Sequence, residues 1–289
     1  MKAALRAHFD IPATLGIILG NGSDELIHLA ALAVAAPGAV MLAPDPSFVM
    51  YRMTALHCGM RFVGVPLRTD FSLDADAMLD AIARERPALV FIAWPNNPTG
   101  NLFPEKDVER IVRAAPGLVV VDEAYHAFAQ ASFLPRIAEF PNLVVLRTVS
   151  KIGMAGLRLG YAAGAPEWIA ELNKVRPPYN LNALTQAVAP VLLADGETFA
   201  AQARAIVAGR TALEAALAAL PGVTVHPTRT NFVLARVPDA RRWFDALHAE
   251  RILVKNLHGA HPLLANCLRI TVGTPAENDA LIAALRKLH

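Results

Sequence analysis

The chain has 289 residues, 54% of them hydrophobic and 18% charged, with 27 Lys+Arg against 25 Asp+Glu. That balance excludes a disordered chain, which could not bury enough apolar surface, and argues against a general nucleic-acid binder, which would carry a basic stripe or tail. Two widely separated cysteines, Cys58 and Cys267, form neither a disulfide framework nor a Cys-x-x-Cys pair, as expected in the reducing cytoplasm.

In chain order, Arg6, His8 and Asp10 interrupt the apolar residues of an opening amphipathic helix and leave no signal-peptide core. Strand signals at residues 16–19, 39–42, 61–65, 88–93, 118–121, 143–146 and 159–163 alternate with helix signals at 24–35, 48–57, 75–86, 105–114, 124–131 and 167–175. Several strands, such as Leu118-Val119-Val120-Val121, are apolar throughout, as strands covered on both faces are. The longest uncharged run, from His28 to Pro44, is cut by Pro37-Gly38 and falls short of a ~20-residue membrane span; it reads as a buried helix followed by a buried strand. The alternation predicts an α/β fold with a mostly parallel central sheet. After about Pro178 the texture becomes α+β. Two alanine-rich helices within 181–220 break near Asp195-Gly196, strands follow at 223–226, 232–236, 252–254 and 268–272, and a helix at 276–288 closes the chain. The expected division is a large domain, residues 1–185, and a smaller α+β C-terminal domain, residues 186–289.

Several motifs carry candidate chemistry. Leu19-Gly20-Asn21-Gly22-Ser23-Asp24-Glu25 joins a strand to a helix. Free amides at a helix N-terminus make an anion site, while Ser23 as an N-cap is an equally good structural reading. The spacing is not the dinucleotide pattern G-x-G-x-x-G. Trp94-Pro95-Asn96-Asn97-Pro98-Thr99-Gly100 follows an apolar strand, at the end where open α/β sheets bind ligands, or is an ordinary turn. In Val119-Val120-Val121-Asp122-Glu123-Ala124-Tyr125, a carboxylate ends a buried strand and requires a cationic or N–H-donating partner. Asp-Glu-Ala also occurs in helicases, but the chain has no G-x-x-x-x-G-K-[ST] loop to bind a nucleotide. Lys151 also follows a buried strand, and desolvation lowers a lysine's proton affinity in a way that suits Schiff-base chemistry. Thr148, Ser150 and Arg158 beside it are phosphate-binding types, although the surrounding glycines could simply permit tight packing. Arg269, inside the apolar Cys267-Leu268-Arg269-Ile270-Thr271, should meet a carboxylate from a substrate or from a structural Asp or Glu.

In this order the motifs resemble those of fold-type I pyridoxal-phosphate aminotransferases, which have an aspartate-aminotransferase-like fold. Within that superfamily, Asn21-Gly22-Ser23-Asp24-Glu25-Leu26-Ile27, Pro46-Ser47-Phe48-Val49-Met50-Tyr51, Val175-Arg176-Pro177-Pro178-Tyr179-Asn180-Leu181-Asn182 and His261-Pro262-Leu263-Leu264-Ala265-Asn266-Cys267-Leu268-Arg269 are most similar to histidinol-phosphate aminotransferases. The resemblance covers essentially the whole chain.

The resemblance implies a transaminase of histidine biosynthesis that passes the amino group of L-histidinol phosphate to 2-oxoglutarate, giving imidazole-acetol phosphate and L-glutamate. Aromatic and other amino-acid aminotransferases and a phospho-amino-acid decarboxylase share the scaffold, and a non-catalytic remnant of the fold is the alternative outside enzymes. By resemblance, Lys151 holds pyridoxal phosphate as a Schiff base and, once substrate displaces it, its free amine shuttles the proton between the substrate α-carbon and C4′ of the cofactor. Asp122 pairs with the pyridine N–H, and Asn97 and Tyr125 hydrogen-bond the cofactor's phenolate oxygen. Phe48 stacks on the ring or is a core phenylalanine. The cofactor phosphate rests on the Ser23 and Asp24 amides, the Thr148 and Ser150 hydroxyls and Arg158, with the Asp24 and Glu25 side chains turned away. Arg269 grips a substrate carboxylate with a bidentate fork. Lys255, where many members carry arginine, binds the substrate's anionic group or is a solvated loop lysine. The resemblance implies no metal, small-molecule substrates, no nucleic acid or membrane partner, and a cytoplasmic homodimer. Family members carry several dozen residues ahead of the segment matching residues 1–12, including an Asn-Glu-Asn-Pro-like motif and a Tyr-Pro stretch whose tyrosine reaches the partner subunit's cofactor phosphate. This sequence matches neither. It could be a truncated form, a misassigned start or a natural short form, and if complete it is expected to hold the cofactor less tightly and close poorly over substrate.

Overall fold

The structure is a computed structural model that describes residues 1–288. In chain order its first part comprises α1 (Lys2–Phe9), β1 (Gly16–Asn21), α2 (Ser23–Val34), β2 (Val40–Asp45), α3 (Val49–His57), β3 (Arg61–Pro66), α4 (Ala75–Glu85), β4 (Leu89–Ala93), α5 (Glu105–Ala114), β5 (Leu118–Asp122), α6 (His126–Ala129), β6 (Leu143–Thr148), β7 (Leu159–Gly164) and α7 (Pro166–Val175). Then follow α8 (Ala183–Leu193), α9 (Gly196–Ala218), β8 (Thr224–His226), β9 (Phe232–Arg236), α10 (Ala240–Ala249), β10 (Lys255–Asn256), β11 (Cys267–Thr271) and α11 (Pro275–Arg286).

The first seven strands form one sheet in the order β1-β7-β6-β5-β4-β2-β3. Only β7 runs against its neighbours, so the fold is α/β with the mostly parallel sheet expected. Alternate residues of each strand enter opposite cores. Val90 and Ile92 of β4 and Val119 and Val121 of β5 pack on one face, with residues of α4, α5 and α8. Leu89 and Phe91, with Leu118 and Val120, pack on the other, with residues of α2, α3 and α7. Burial on both faces is why these strands read as unbroken apolar runs. The second sheet, order β10-β11-β9-β8, is antiparallel throughout and packs against the C-terminal half of α9, α10 and α11.

Local chemistry sets most boundaries. Asp195 accepts the Thr198 amide and caps α9, which makes Asp195-Gly196 a genuine break between the two alanine-rich helices. Thr274 and Glu277 form a reciprocal capping box on α11. Two expectations fail. The helix expected over 124–131 contracts to α6, because the Asp122 side chain takes the Ala124 amide at one end and Gln130 turns left-handed (φ 56°) at the other. The strand expected over 252–254 does not form. Arg251 is left-handed (φ 61°), Leu253 stays exposed, and pairing with β11 begins at Lys255. Among the described residues, no helix is long and apolar enough to cross a membrane.

Candidate active site

Strands β1, β2, β4, β5 and β6 are mutually parallel, so their carboxyl ends lie along one edge of the sheet. The segments that follow them bring Ser23 and Asp24, Phe48, Asn97, Tyr125, and Ser150 and Lys151 into one cleft. Asp122 and Thr148 line it from the strand ends, and Arg158 from just before β7. Every residue expected to touch the cofactor therefore lines the same cleft, the place where open parallel sheets put ligands.

One end of the cleft is a cradle of backbone. Gly22, not Ser23, is the capping residue of α2 (φ 83°), and Ser23 is the first helical residue, so its amide and that of Asp24 belong to the unsatisfied first turn. A Cβ on Gly160 would lie 2.8 Å from the Ser23 nitrogen, so glycine is required there by close approach of backbone, and at Gly22 it is required by the positive φ, with Arg158 Nη2 2.5 Å from where a Cβ would be. Thr148 Oγ1 lies 2.9 Å from Ser150 Oγ and accepts the Ser150 amide at 3.1 Å. The acidic pair behaves differently from the expectation. Glu25 does turn away, accepting from the Asn21 amide and from Asn180. Asp24 does not: its carboxylate faces Arg158 at 3.9 Å.

At the other end lies Lys151, with Nζ 5.7 Å from the centre of the Tyr125 ring. Burial, and after it the charge of Arg269, lowers its affinity for a proton. Asp122 is almost fully buried, and burial raises its pKa to about 6 against the opposing pull of two donors. The expected N–H donor is the Ala124 amide, which donates to Oδ1 at 3.0 Å, and a hydroxyl joins it, Tyr51 Oη donating to Oδ2 at 2.7 Å. Burial likewise raises Tyr125 to about 12, which keeps its hydroxyl a donor at neutral pH. Phe48 opens onto the cleft and meets Tyr51 edge-on at 5.6 Å, so it is not simply a core residue.

Arg269 resolves a choice left open by sequence. Its Nη1 donates to Asn97 Oδ1 at 2.7 Å, and its guanidinium lies 5.0 Å over the Phe232 ring. Its Nε is buried and bonded to nothing. Among the described residues no carboxylate pairs with it within 4.0 Å, so a structural Asp or Glu is not its partner. Lys255 is exposed but stands directly opposite Arg269 in the β10–β11 register, which puts both side chains on the same sheet face. Both line a second cleft that shares Phe48 and Asn97 with the first.

Sequence reasoning missed two partners. By sequence Tyr51 lies within a helix signal and a family-like stretch, and only the fold shows its hydroxyl on Asp122. Glu123, fully buried, is held by Arg147 at 2.8 Å, by the Ser132 hydroxyl at 2.9 Å and by the Phe133 amide. Arg147 in an otherwise apolar strand was the available signal.

Residues 5–285 match the family described as aminotransferase class I and II. The chain is 58% identical over 283 residues to histidinol-phosphate aminotransferase 2 of Burkholderia pseudomallei, covering 98% of this chain and 80% of the relative. It is 58% identical over 287 residues to the histidinol-phosphate aminotransferase of Chromobacterium violaceum, covering 99% and 81%. The structure resembles histidinol-phosphate aminotransferase from Sinorhizobium meliloti in complex with pyridoxal-5'-phosphate, with a TM-score of 0.89 and 30% identity over 100% of this chain and 81% of that one. The Clostridium acetobutylicum histidinol-phosphate aminotransferase shares the fold at a TM-score of 0.91 and 23% identity, covering 99% of this chain and 87% of its own. A half-buried lysine, a buried carboxylate and a glycine-framed anion cradle, in a chain so closely related to these proteins, belong together: the chain is a member of the class I and II aminotransferase family.

Proposed function

We propose that the chain is a pyridoxal-phosphate-dependent aminotransferase that takes the amino group of L-histidinol phosphate and passes it to 2-oxoglutarate, yielding imidazole-acetol phosphate and L-glutamate. The observation that carries this is the convergence of Lys151, Asp122 and the α2 cradle in one cleft of a chain 58% identical to relatives named for that enzyme.

The residues present fit the cofactor. The Ser23 and Asp24 amides, the Thr148 and Ser150 hydroxyls and Arg158 supply donors and positive potential for a phosphate carrying a charge of roughly −2. Two glycines keep side chains out of that space. Bound there, pyridoxal phosphate supplies an electron sink for negative charge at the substrate α-carbon. Asp122 holds a proton at the pyridine nitrogen, and Asn97 and Tyr125 would bond the phenolate oxygen. Lys151, whose burial favours the neutral amine, would attach the cofactor covalently. Once the substrate's own amine displaces it, the freed Lys151 amine would take the proton from the substrate α-carbon and deliver it to the C4′ carbon of the cofactor, so that the amino group is transferred. Phe48 covers one side of the cleft and excludes water from it. Arg269, with a bare Nε and one end steadied by Asn97, holds the carboxylate of the keto acid. Lys255 adds the second cation that a phosphomonoester donor needs. In this reading the enzyme is cytoplasmic and homodimeric. Val49, Met53 and Leu56 on α3, with Leu184, Val188 and Val191 on α8, are exposed apolar residues available to a partner subunit.

Adding pyridoxal phosphate to the purified protein should produce an absorption band that borohydride traps on Lys151. The half-reaction should run faster with histidinol phosphate than with phenylalanine or threonine phosphate. No band, or trapping on another lysine, would remove the cofactor assignment, and equal rates would remove the substrate assignment.

A further inference from the structure

We propose that Tyr51 is a positioning residue, whose hydroxyl holds the Asp122 carboxylate ionised and aimed at the pyridine nitrogen. The inference rests on reading Asp122 as the partner of that nitrogen.

Tyr51 has no exposed surface. Its ring lies flat on Phe91 of β4, with centroids 4.5 Å apart and planes 8° from parallel, and it meets Phe48 edge-on. Those two contacts need only a ring, and phenylalanine would satisfy them. A fully buried phenol also needs a polar partner, and this one has taken Asp122 Oδ2 at 2.7 Å. The Ala124 amide occupies Oδ1 at 3.0 Å. One donor on each oxygen fixes the carboxylate plane and leaves its remaining lone pairs for the cleft.

A donor to a carboxylate favours the ionised form, while burial favours the neutral acid. At Asp122 the two oppose each other, and the Tyr51 hydroxyl is the larger of the two opposing hydrogen bonds. Because α3 carries Tyr51 and begins just after Phe48, one short segment sets both the aromatic wall of the cleft and the state of the carboxylate beneath it.

The test is a double-mutant cycle of Tyr51→Phe and Asp122→Asn, read by pyridoxal-phosphate affinity as a function of pH and by the melting temperature of the cofactor-free protein. Tyr51→Phe should weaken cofactor binding about tenfold at neutral pH, the worth of a hydrogen bond to a charged group. It should also move the midpoint of binding against pH upward, and it should add little in the Asp122→Asn background. If Tyr51→Phe changes only the melting temperature, or if the two substitutions are additive, the positioning role is overturned while the cofactor assignment stands. If Asp122→Asn itself binds the cofactor as the wild type does, the reading of Asp122 falls and the inference falls with it.

Discussion

Gly160→Ala tests the anion cradle without touching any side chain assigned to the cofactor. The added methyl would sit 2.7 Å from the Gly22 carbonyl carbon and 2.8 Å from the Ser23 nitrogen, short of the 3.4 Å at which ordinary contact begins by 0.6–0.7 Å. Neither neighbour is a flexible side-chain end. Gly160 pairs with Gly20 across β1–β7, so the added methyl must force apart the β1–α2 junction that aims the Ser23 and Asp24 amides. Overpacking of this kind costs about 1–3 kcal/mol. In a chain of this length about 1 kcal/mol corresponds to about 2 °C, so the cofactor-free melting temperature should fall by about 2–6 °C. Two misaimed donors to a phosphate should also raise the dissociation constant of pyridoxal phosphate by about 10–100-fold. Gly156→Ala is the control: nothing lies within 4 Å of its added Cβ, and its effect should stay within about 0.5 kcal/mol. Scanning fluorimetry and titration with pyridoxal phosphate or inorganic phosphate measure both effects. A Gly160→Ala protein that binds phosphate like the wild type and melts like Gly156→Ala would refute the cradle.

Two further predictions concern buried charge. Glu123→Gln leaves Arg147 charged and almost fully buried without its counter-ion, and should cost about 3–5 kcal/mol in urea unfolding. The double change with Arg147→Met should recover part of that loss, and an equal or greater loss would contradict the assignment. The other concerns pH. Burial raises the folded Asp122 to about 6, above its unfolded value near 4, so the cofactor-free fold binds that proton more tightly than the unfolded chain does. Its contribution to stability is complete below about pH 4 and is lost as pH rises through 6. His126, pushed down to about 3 by burial and then by Arg147, acts in the opposite sense, and its contribution is lost as pH falls from about 6.5 toward 3. Asp122→Asn removes the first effect alone, so unfolding free energy should climb about 2 kcal/mol more between pH 4 and 6 than in the wild type. An unchanged slope would show that Asp122 is not buried as an acid.

What could be read directly was whatever local physics controls. The strands β4, β5 and β6 announced themselves because residues covered on both faces must be apolar, and the α9 start because Asp195 caps it. Most of the candidate cofactor-facing residues were legible because they sit at or just after a strand's carboxyl end, where a parallel sheet lets a polar group face a ligand, and Arg158, just before β7, is the exception. Legibility failed where a positive φ decides the outcome. Ser23 is a natural cap by composition, yet Gly22 holds that place, with a φ of 83° that glycine adopts without penalty, and Ser23 becomes the first helical residue. The strand expected at 252–254 lost its ladder to a left-handed turn at Arg251.

The sequence by itself determined the layered α/β framework, the order of the motifs and the identity of the reactive groups, because periodicity, capping and residue chemistry act over a few residues. Only the tertiary structure decided who meets whom. It placed Tyr51 on Asp122 across 71 residues, Arg269 on Asn97 across 172, and Lys255 opposite Arg269 by strand register. The physical reason is that a hydrogen bond and a desolvated charge depend on distances of a few ångströms, and such distances between remote segments exist only once the chain has folded.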